Sequence, residues 1–376
     1  MKFVADRDIL SSSLNIVLRG VSSRSTLPIL KGILIKADKK SNSVLFSSSD
    51  LEISIETIVK AEMKEEGSIV VSAKLFSDVI RKLPAGEVEI SLTEDNKIFI
   101  KSGKIENKLQ GIPADEFPVI EKEKEEYKIL FNGELFKEMI RRTAFAASIE
   151  ETRGIITGVL FEINKNSAKM VALDGFRMAI VTENIKEDKD ERKLIVKGRI
   201  INEVARIAAD SISDENDDIT INSSDNKIFF IIKGTKIVAR LMEGDFIKYK
   251  DIIPKEKMLS IKINKNHLLE SVERASLLVK EGRNSFVRFK IEGEELTITS
   301  RADEGEYVEN IIVEKDGEDL EIGFNGRFVS DTLKAIDDEE IMLEFNKSIN
   351  PCIVKPVEGE GYVYLILPVR LSTGNV

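Results

Sequence analysis

Histidine and cysteine, the side chains most often used as proton relays, nucleophiles and metal ligands, occur once each in this chain, as His267 and Cys352. His267 sits beside Leu268 in a stretch of helical periodicity, with no second His or Cys at metal-ligand spacing, and reads as a solvated or capping residue. Cys352 follows Pro351 without any surrounding signature and reads as an inert strand thiol. One cysteine also excludes an intramolecular disulfide framework and fits a reducing cytoplasm. No GxxxxGK[ST] phosphate loop, GxSxG elbow or EF-hand loop is present. The acidic runs at 121–126 and 337–340 lack the Gly bend of a calcium loop. The expectation is a protein without catalysis, metal or cofactor.

What the residues do offer is positive charge at a fixed spacing. VSAKLFSDVIRKL (71–83), VKGRIINEVARIA (196–208) and FNGRFVSDTLKAI (324–336) align without gaps, 125 and 128 residues apart. Each has a large apolar first residue and a small third one (Ala73, Gly198, Gly326). A cation follows (Lys74, Arg199, Arg327), then two apolar residues, then Ser/Asn and Asp/Glu. A cation opening a helix opposes the macrodipole, which favours acids there by some tenths of a kcal/mol. The same violation three times implies an anionic partner outside the fold. A period of this length is a whole domain, present three times.

The elements that must carry these cations follow from periodicity. An earlier helix opens each repeat, near 8–18, 133–144 and 265–279. Its apolar residues recur at helical spacing (Leu135, Phe136, Met139, Ile140; Leu268, Leu269, Val272, Val279). Arg19, Arg141 and Arg274 fall roughly opposite these stripes; a solvated face explains any one of them, while all three extend the pattern of cations. Between the two helices lies a hairpin signature at 29–50, 155–175 and 284–303, with alternating apolar residues around a polar turn. Further alternating runs follow, and DNKIF closes a turn identically at 95–99 and 225–229. The fold class expected is α+β: three repeats, each of two helices packed on antiparallel sheet. The charged stretches at 121–128 and 248–259 suggest domains at 1–125, 126–253 and 254–376.

Composition bounds the partners. A chain of 376 residues, 42% hydrophobic and 32% charged, exceeds a single core and has no apolar run near 18 residues. MKFVADRDIL lacks the apolar stretch of an export signal. A net charge of -10 argues against a generic polyanion-coating protein but leaves room for a local basic surface.

At this point the residues resemble the bacterial sliding clamp, the β subunit of DNA polymerase III. The resemblance rests on RSTLPILKGILI near the start, GIPADEFP ending at Pro118, VALDGFRMAIV in the middle repeat and YLILPVRL at the end, and covers Met1 to Leu371. It implies a head-to-tail homodimer of six clamp domains closed into a ring, with twelve helices around a hole that holds double-stranded DNA. Lys74, Arg199 and Arg327 would then meet phosphates, in contacts that are independent of sequence and sensitive to salt. Arg24 falls on a family position for DNA contact.

The resemblance also implies a groove for short peptides from the polymerase III α subunit, the clamp loader, other polymerases and repair proteins. By position its walls are Ile156, Leu173, Gly175, Phe176, Arg177 and Met178, then Ile247 and Ile252, then Leu365, Ile366, Leu367, Pro368, Val369, Arg370 and Leu371. Phe176, Ile247 and Asp251 depart from a histidine, a proline and an arginine common in the family, which keeps the groove apolar. Read alone, YLILPVRL is a buried last strand whose end Pro368 demotes to an edge. For the dimer seam the resemblance suggests Lys104, Ile105, Lys108 and Leu109 against Leu277, Leu278, Glu304 and Glu306, with Asn107 where some members carry an aromatic residue. STGNV (372–376) runs past the usual family end. Two other classes stay open: a monomeric scaffold that binds the same peptides without encircling DNA, and an enzyme acting on nucleic acid.

Overall fold

The computed structural model describes residues 1–22, 25–120, 127–185, 191–214, 217–224, 226–279, 286–303 and 305–370. Six α-helices lie among them: α1 (Arg7–Val17), α2 (Ala73–Lys82), α3 (Gly133–Arg141), α4 (Gly198–Ser211), α5 (Lys265–Ser276) and α6 (Gly326–Lys334). They fall two to a repeat, as the periodicity predicts. The first helix of the first repeat keeps its expected length one residue earlier, while those of the other two repeats end sooner than expected, at Arg141 and Ser276. Leu18–Gly20 forms a separate 3-10 turn, which takes Arg19 off α1, and α5 ends before Leu277.

The first helices share a start signal. Asp6 Oδ1 accepts from the Asp8 amide at 2.8 Å, Asn132 Oδ1 from the Leu135 amide at 2.9 Å, and Asn264 Oδ1 from the Asn266 amide at 3.0 Å. Each satisfies an amide that the helix cannot pair itself, a contribution of about 1 kcal/mol. The second helices start instead on the small residue. A Cβ on Gly198 would lie 3.1 Å from both the Ala147 Cβ and the Thr157 carbonyl, and one on Gly326 would run into Ser276. That close approach is why glycine precedes the cation in these two copies.

All three predicted hairpins form: Gly32–Asp38 with Ser43–Ser49, Gly158–Asn164 with Ser167–Leu173, and Val287–Glu292 with Glu295–Ala302. Every strand pairing among the described residues is antiparallel. The chain divides into two compact units, residues 1–135 with 203–241, and residues 136–202 with 242–376. The first is built on a 13-stranded sheet, the second on sheets of nine and four strands.

These units do not follow the repeats, because the sheets do not. In the first unit Thr235–Arg240 of the middle repeat pairs with Ile53–Lys60 of the first, Ile237 opposite Ile55. The buried Thr57 and Thr235 hydroxyls meet there at 3.1 Å. In the second unit Arg177–Asn184 of the middle repeat pairs with Tyr362–Ile366 of the last, Met178 opposite Leu365. Hydrophobic faces of α1, α2, α5 and α6 cover the sheets through fully buried Leu10, Leu14, Phe76, Ile80, Leu268, Val272 and Leu333.

Candidate peptide groove and nucleic-acid surface

Lys74, Arg199 and Arg327 occupy the same place, the second residue of α2, α4 and α6, and all three are exposed. Helical side chains lean toward the N-terminus, so a long cation here extends past the helix end into solvent. The Arg327 side chain is 75% exposed, with only a loose ion pair to Asp331 at 3.9 Å. The Asn325 side chain accepts from the Arg327 amide at 3.0 Å, which satisfies the helix start without an acidic cap.

Arg19, Arg141 and Arg274, expected on a solvated face, are held in ion pairs. Arg19 reaches Glu203 at 3.2 Å and Asp210 at 2.9 Å, and its side chain is only 25% exposed. Arg141 pairs with Glu138 at 2.7 Å and with Asp337. Arg274 makes a two-nitrogen contact with Glu309, 2.8 Å at its shortest, and a 3.1 Å bond to the Tyr307 hydroxyl. Hydrogen bonds to Tyr307 and Glu309 raise the Arg274 pKa still further above its ordinary value. Each of these cations is neutralised by acids from a neighbouring element. Arg24 lies outside the described residues.

Of the residues expected to wall a groove, Leu173, Arg177, Met178, Leu365 and Ile366 lie on the nine-stranded sheet of the second unit. Leu173, Met178 and Leu365 are buried and form a floor with Leu160, Ile180, Ile195 and Tyr249. Ile155, Ile156, Met242, Phe246, Ile253, Val363 and Leu367 are partly buried along its rim, and Ile247 and Ile252 are exposed beside it. Ile366 is a correction to the expected walls. Strand alternation turns it to the opposite face, into the core beside Phe324, Val329 and Cys352. The chain then crosses to Gly323, where the Val369 amide donates at 2.8 Å; Pro368 is half-buried and Arg370 exposed. Leu371 lies outside the described residues.

The turn before Arg177 is set by Asp174, whose Oδ1 accepts from the Phe176 amide at 2.9 Å and the Arg177 amide at 3.0 Å. Gly175 supplies the φ of 88° that the turn needs. Phe176 is left exposed, stacked on Phe328 with ring centroids 5.9 Å apart, and the Arg153 guanidinium lies over its ring at 5.6 Å. The Arg177 guanidinium sits between the rings of Phe145 and Phe328, at 5.2 and 4.8 Å. It also reaches Asp174 at 3.1 Å and Asp331 at 2.7 Å. Together with Arg327 these residues line a cavity of about 660 Å³.

Arg153 and Phe328, which line this cavity, and Phe246, which packs on the apolar cluster, are not among the residues expected at the site. The signal open to sequence was the aromatic residue directly after Arg327, which no other marker helix has in that place.

Tyr249 stands at one end of the floor, where its hydroxyl donates to the buried Glu162 at 2.7 Å. Burial, then that hydrogen bond, pushes the Tyr249 pKa up, because both penalise the phenolate.

Of the residues expected at a dimer seam, Ile105, Lys108, Leu109 and Glu306 lie on strands with an open side, Lys104 precedes the first of these strands, and Leu277 and Leu278 follow α5. Ile105–Ile112 pairs with Lys97–Ser102 along one side, but on the other only Gly111 and Ile112 meet a strand. Ile105 and Lys108 are exposed there and Leu109 is half-buried. Gly305–Ile312 is the last strand of the four-stranded sheet, with Val308 exposed and Ile312 86% exposed. Leu277 is 83% exposed, Leu278 half-buried, and Glu306 faces Arg301 at 3.5 Å. Glu304 lies outside the described residues.

His267 is exposed and its amide is one of those capped by Asn264. Cys352 is buried, which pushes its thiol pKa up and away from reactivity. Among the described residues no cluster of His, Cys, Asp or Glu could hold a metal, and no helix is long and apolar enough to cross a membrane.

Three protein-family models match the chain in order: the N-terminal domain of the DNA polymerase III beta subunit over residues 1–121, its central domain over 131–248 and its C-terminal domain over 250–370. The chain is 35% identical to the beta sliding clamp of Halalkalibacterium halodurans, over 98% of this chain and all of that one. It is 33% identical to the beta sliding clamp of Staphylococcus epidermidis, over 98% and 99%. Among solved structures it is similar to the DNA polymerase sliding clamp of Bacillus subtilis, with a TM-score of 0.93 and 34% identity over 99% of each chain. It is also similar to the Pseudomonas aeruginosa sliding clamp bound to griselimycin, with a TM-score of 0.92 and 26% identity over 99% of this chain and all of that one.

Proposed function

Because this chain belongs to the DNA polymerase III beta-subunit family, we propose that it serves DNA replication as a sliding clamp, a non-catalytic factor that tethers a polymerase to its template and confers processivity. The observation that carries this reading is the exposed cation repeated at the same step of α2, α4 and α6. Phosphates attract such cations whatever the base sequence, and a contact that ignores sequence permits sliding.

Clamp domains span 1–125, 126–253 and 254–376, and two copies join head to tail into a ring around double-stranded DNA. The open margin of Ile105–Ile112 would take the Gly305–Ile312 strand of a second copy, since unpaired strand edges bind by extending a sheet. The apolar groove would capture short peptides of the polymerase III α subunit, the clamp loader, other polymerases and repair proteins, and its apolar floor makes it our proposed site for griselimycin, which the Pseudomonas aeruginosa clamp binds. A clamp loader would place the ring on DNA, in the cytoplasm.

The test is topological. The protein is loaded on nicked circular DNA with a clamp loader, and half the sample is cut to linear form. Retention on circles with loss from linear DNA supports encirclement; equal retention on both overturns it.

A further inference from the structure

We propose that the Tyr249–Glu162 hydrogen bond fastens the irregular wall of the groove in its binding geometry, which makes Tyr249 a positioning residue for ligand capture. The inference rests on the groove reading above.

The wall in question is the segment from Met242 to Ile253, which brings Met242, Phe246, Ile247, Ile252 and Ile253 to the groove. It has little regular structure of its own beyond a 3-10 turn at Tyr249–Asp251. At its start the Met242 amide donates to the Ile195 carbonyl at 2.9 Å. Further along, the amides of Tyr249, Asp251 and Ile252 donate to Ile247, Lys248 and Tyr249, bonds that stay within the segment and do not tie it to the sheet. The Tyr249 side chain adds a buried polar tie beside the packing of Met242, Phe246 and Ile253. Its ring is buried among Leu160, Ile195 and Leu365, and its hydroxyl ends on Glu162, two residues beyond Leu160 on the same face of the same strand.

Glu162 is the unusual half of the pair. A carboxylate in an apolar cluster carries a desolvation cost unless it is paired and hydrogen-bonded. Here Lys193, directly opposite in the sheet, neutralises it at 3.3 Å, and the Tyr249 hydroxyl takes the other carboxylate oxygen. A hydrogen bond to an ionised acceptor is short and directional, so it fixes the height and rotation of the ring and with it the wall residues on either side. An irregular wall held this way loses its freedom before the ligand arrives, so binding does not have to order it.

The experiment uses the full chain, with griselimycin as the probe. Tyr249→Phe keeps the ring and removes the hydroxyl; Glu162→Gln keeps an acceptor for it. Tyr249→Phe should weaken griselimycin affinity roughly five- to tenfold, with Glu162→Gln between it and wild type. Amide hydrogen exchange should quicken across residues 246–253 while the strands Gly158–Asn164 and Arg177–Asn184 keep wild-type protection. Unchanged affinity in both variants, or exchange that quickens evenly across the second unit, overturns the fastener. Wild-type protein that does not bind griselimycin overturns the groove reading and this inference with it.

Discussion

Arg177 and Asp331, 154 positions apart in sequence, meet at 2.7 Å between two phenylalanine rings. The contact ties the turn that presents Phe176 to α6, the helix that presents Arg327. Arg177 is largely buried and Asp331 partly so, and removing the guanidinium leaves Asp331, among the described residues, only its loose pair with Arg327. Arg177→Ala should lower the stability of the second unit by about 1–3 kcal/mol in denaturant unfolding. Arg177→Lys should recover little of this, because an ammonium cannot stack flat between rings or reach both Asp174 and Asp331. Wild-type stability in the lysine variant would contradict the assignment.

The two sets of cations should separate in experiment. Replacing Lys74, Arg199 and Arg327 together with Ala should lower the salt slope of DNA association by about 0.9 for each phosphate that is no longer neutralised, with the fold unchanged. Replacing Arg19, Arg141 and Arg274 should act on stability as well, since it breaks their ion pairs with Glu203, Asp210, Glu138, Asp337 and Glu309. A slope that changes only in the second set would reverse the assignment.

Sedimentation should read the seam. Leu277→Lys would replace a largely exposed leucine with a charge where a second copy is proposed to sit. Loss of that burial is worth about 1.5–3 kcal/mol at each contact, enough to shift a dimer strongly toward monomer. A variant that sediments as wild type would remove Leu277 from the interface.

Alkali should weaken the second unit. Burial pushes the Tyr364 phenol up to about 12, and Tyr249 and Tyr362 are also raised, by burial and by hydrogen bonds to Glu162 and Asp338. The unfolded chain releases these protons near pH 10, whereas the folded chain holds them. Their contribution is therefore complete below about pH 10 and lost as pH rises toward 12. The unfolding temperature should fall across that window, and Tyr364→Phe should make the fall shallower. A flat profile to about pH 11.5 would contradict the burial of these hydroxyls.

Local pattern made much of this fold legible. The small residue and cation at 73–74, 198–199 and 326–327 mark helix starts in sequence and are helix starts in space, and each hairpin has its turn where the polar residues fall. Asp6, Asn132 and Asn264, the caps of the first helices, were equally available to a reading of side-chain oxygens before apolar runs. What sequence could not give was partnership at a distance. Arg19 looks free until α4 places Glu203 and Asp210 against it, 184 and 191 positions away. Ile366 and Leu365 are alike in composition, and only the register against Arg177 and Met178 decides which one faces the groove.

The pairing of Thr235–Arg240 with Ile53–Lys60, and of Arg177–Asn184 with Tyr362–Ile366, means that the middle repeat has no sheet to itself. A middle repeat cut out at its sequence borders would bare two strand margins at once, each with a row of unmet amides and carbonyls. Such margins recruit whatever backbone is near. The excised piece would therefore self-associate, and a gene fusion or shuffling event that preserved every repeat border would still sever the molecule along its hydrogen bonds.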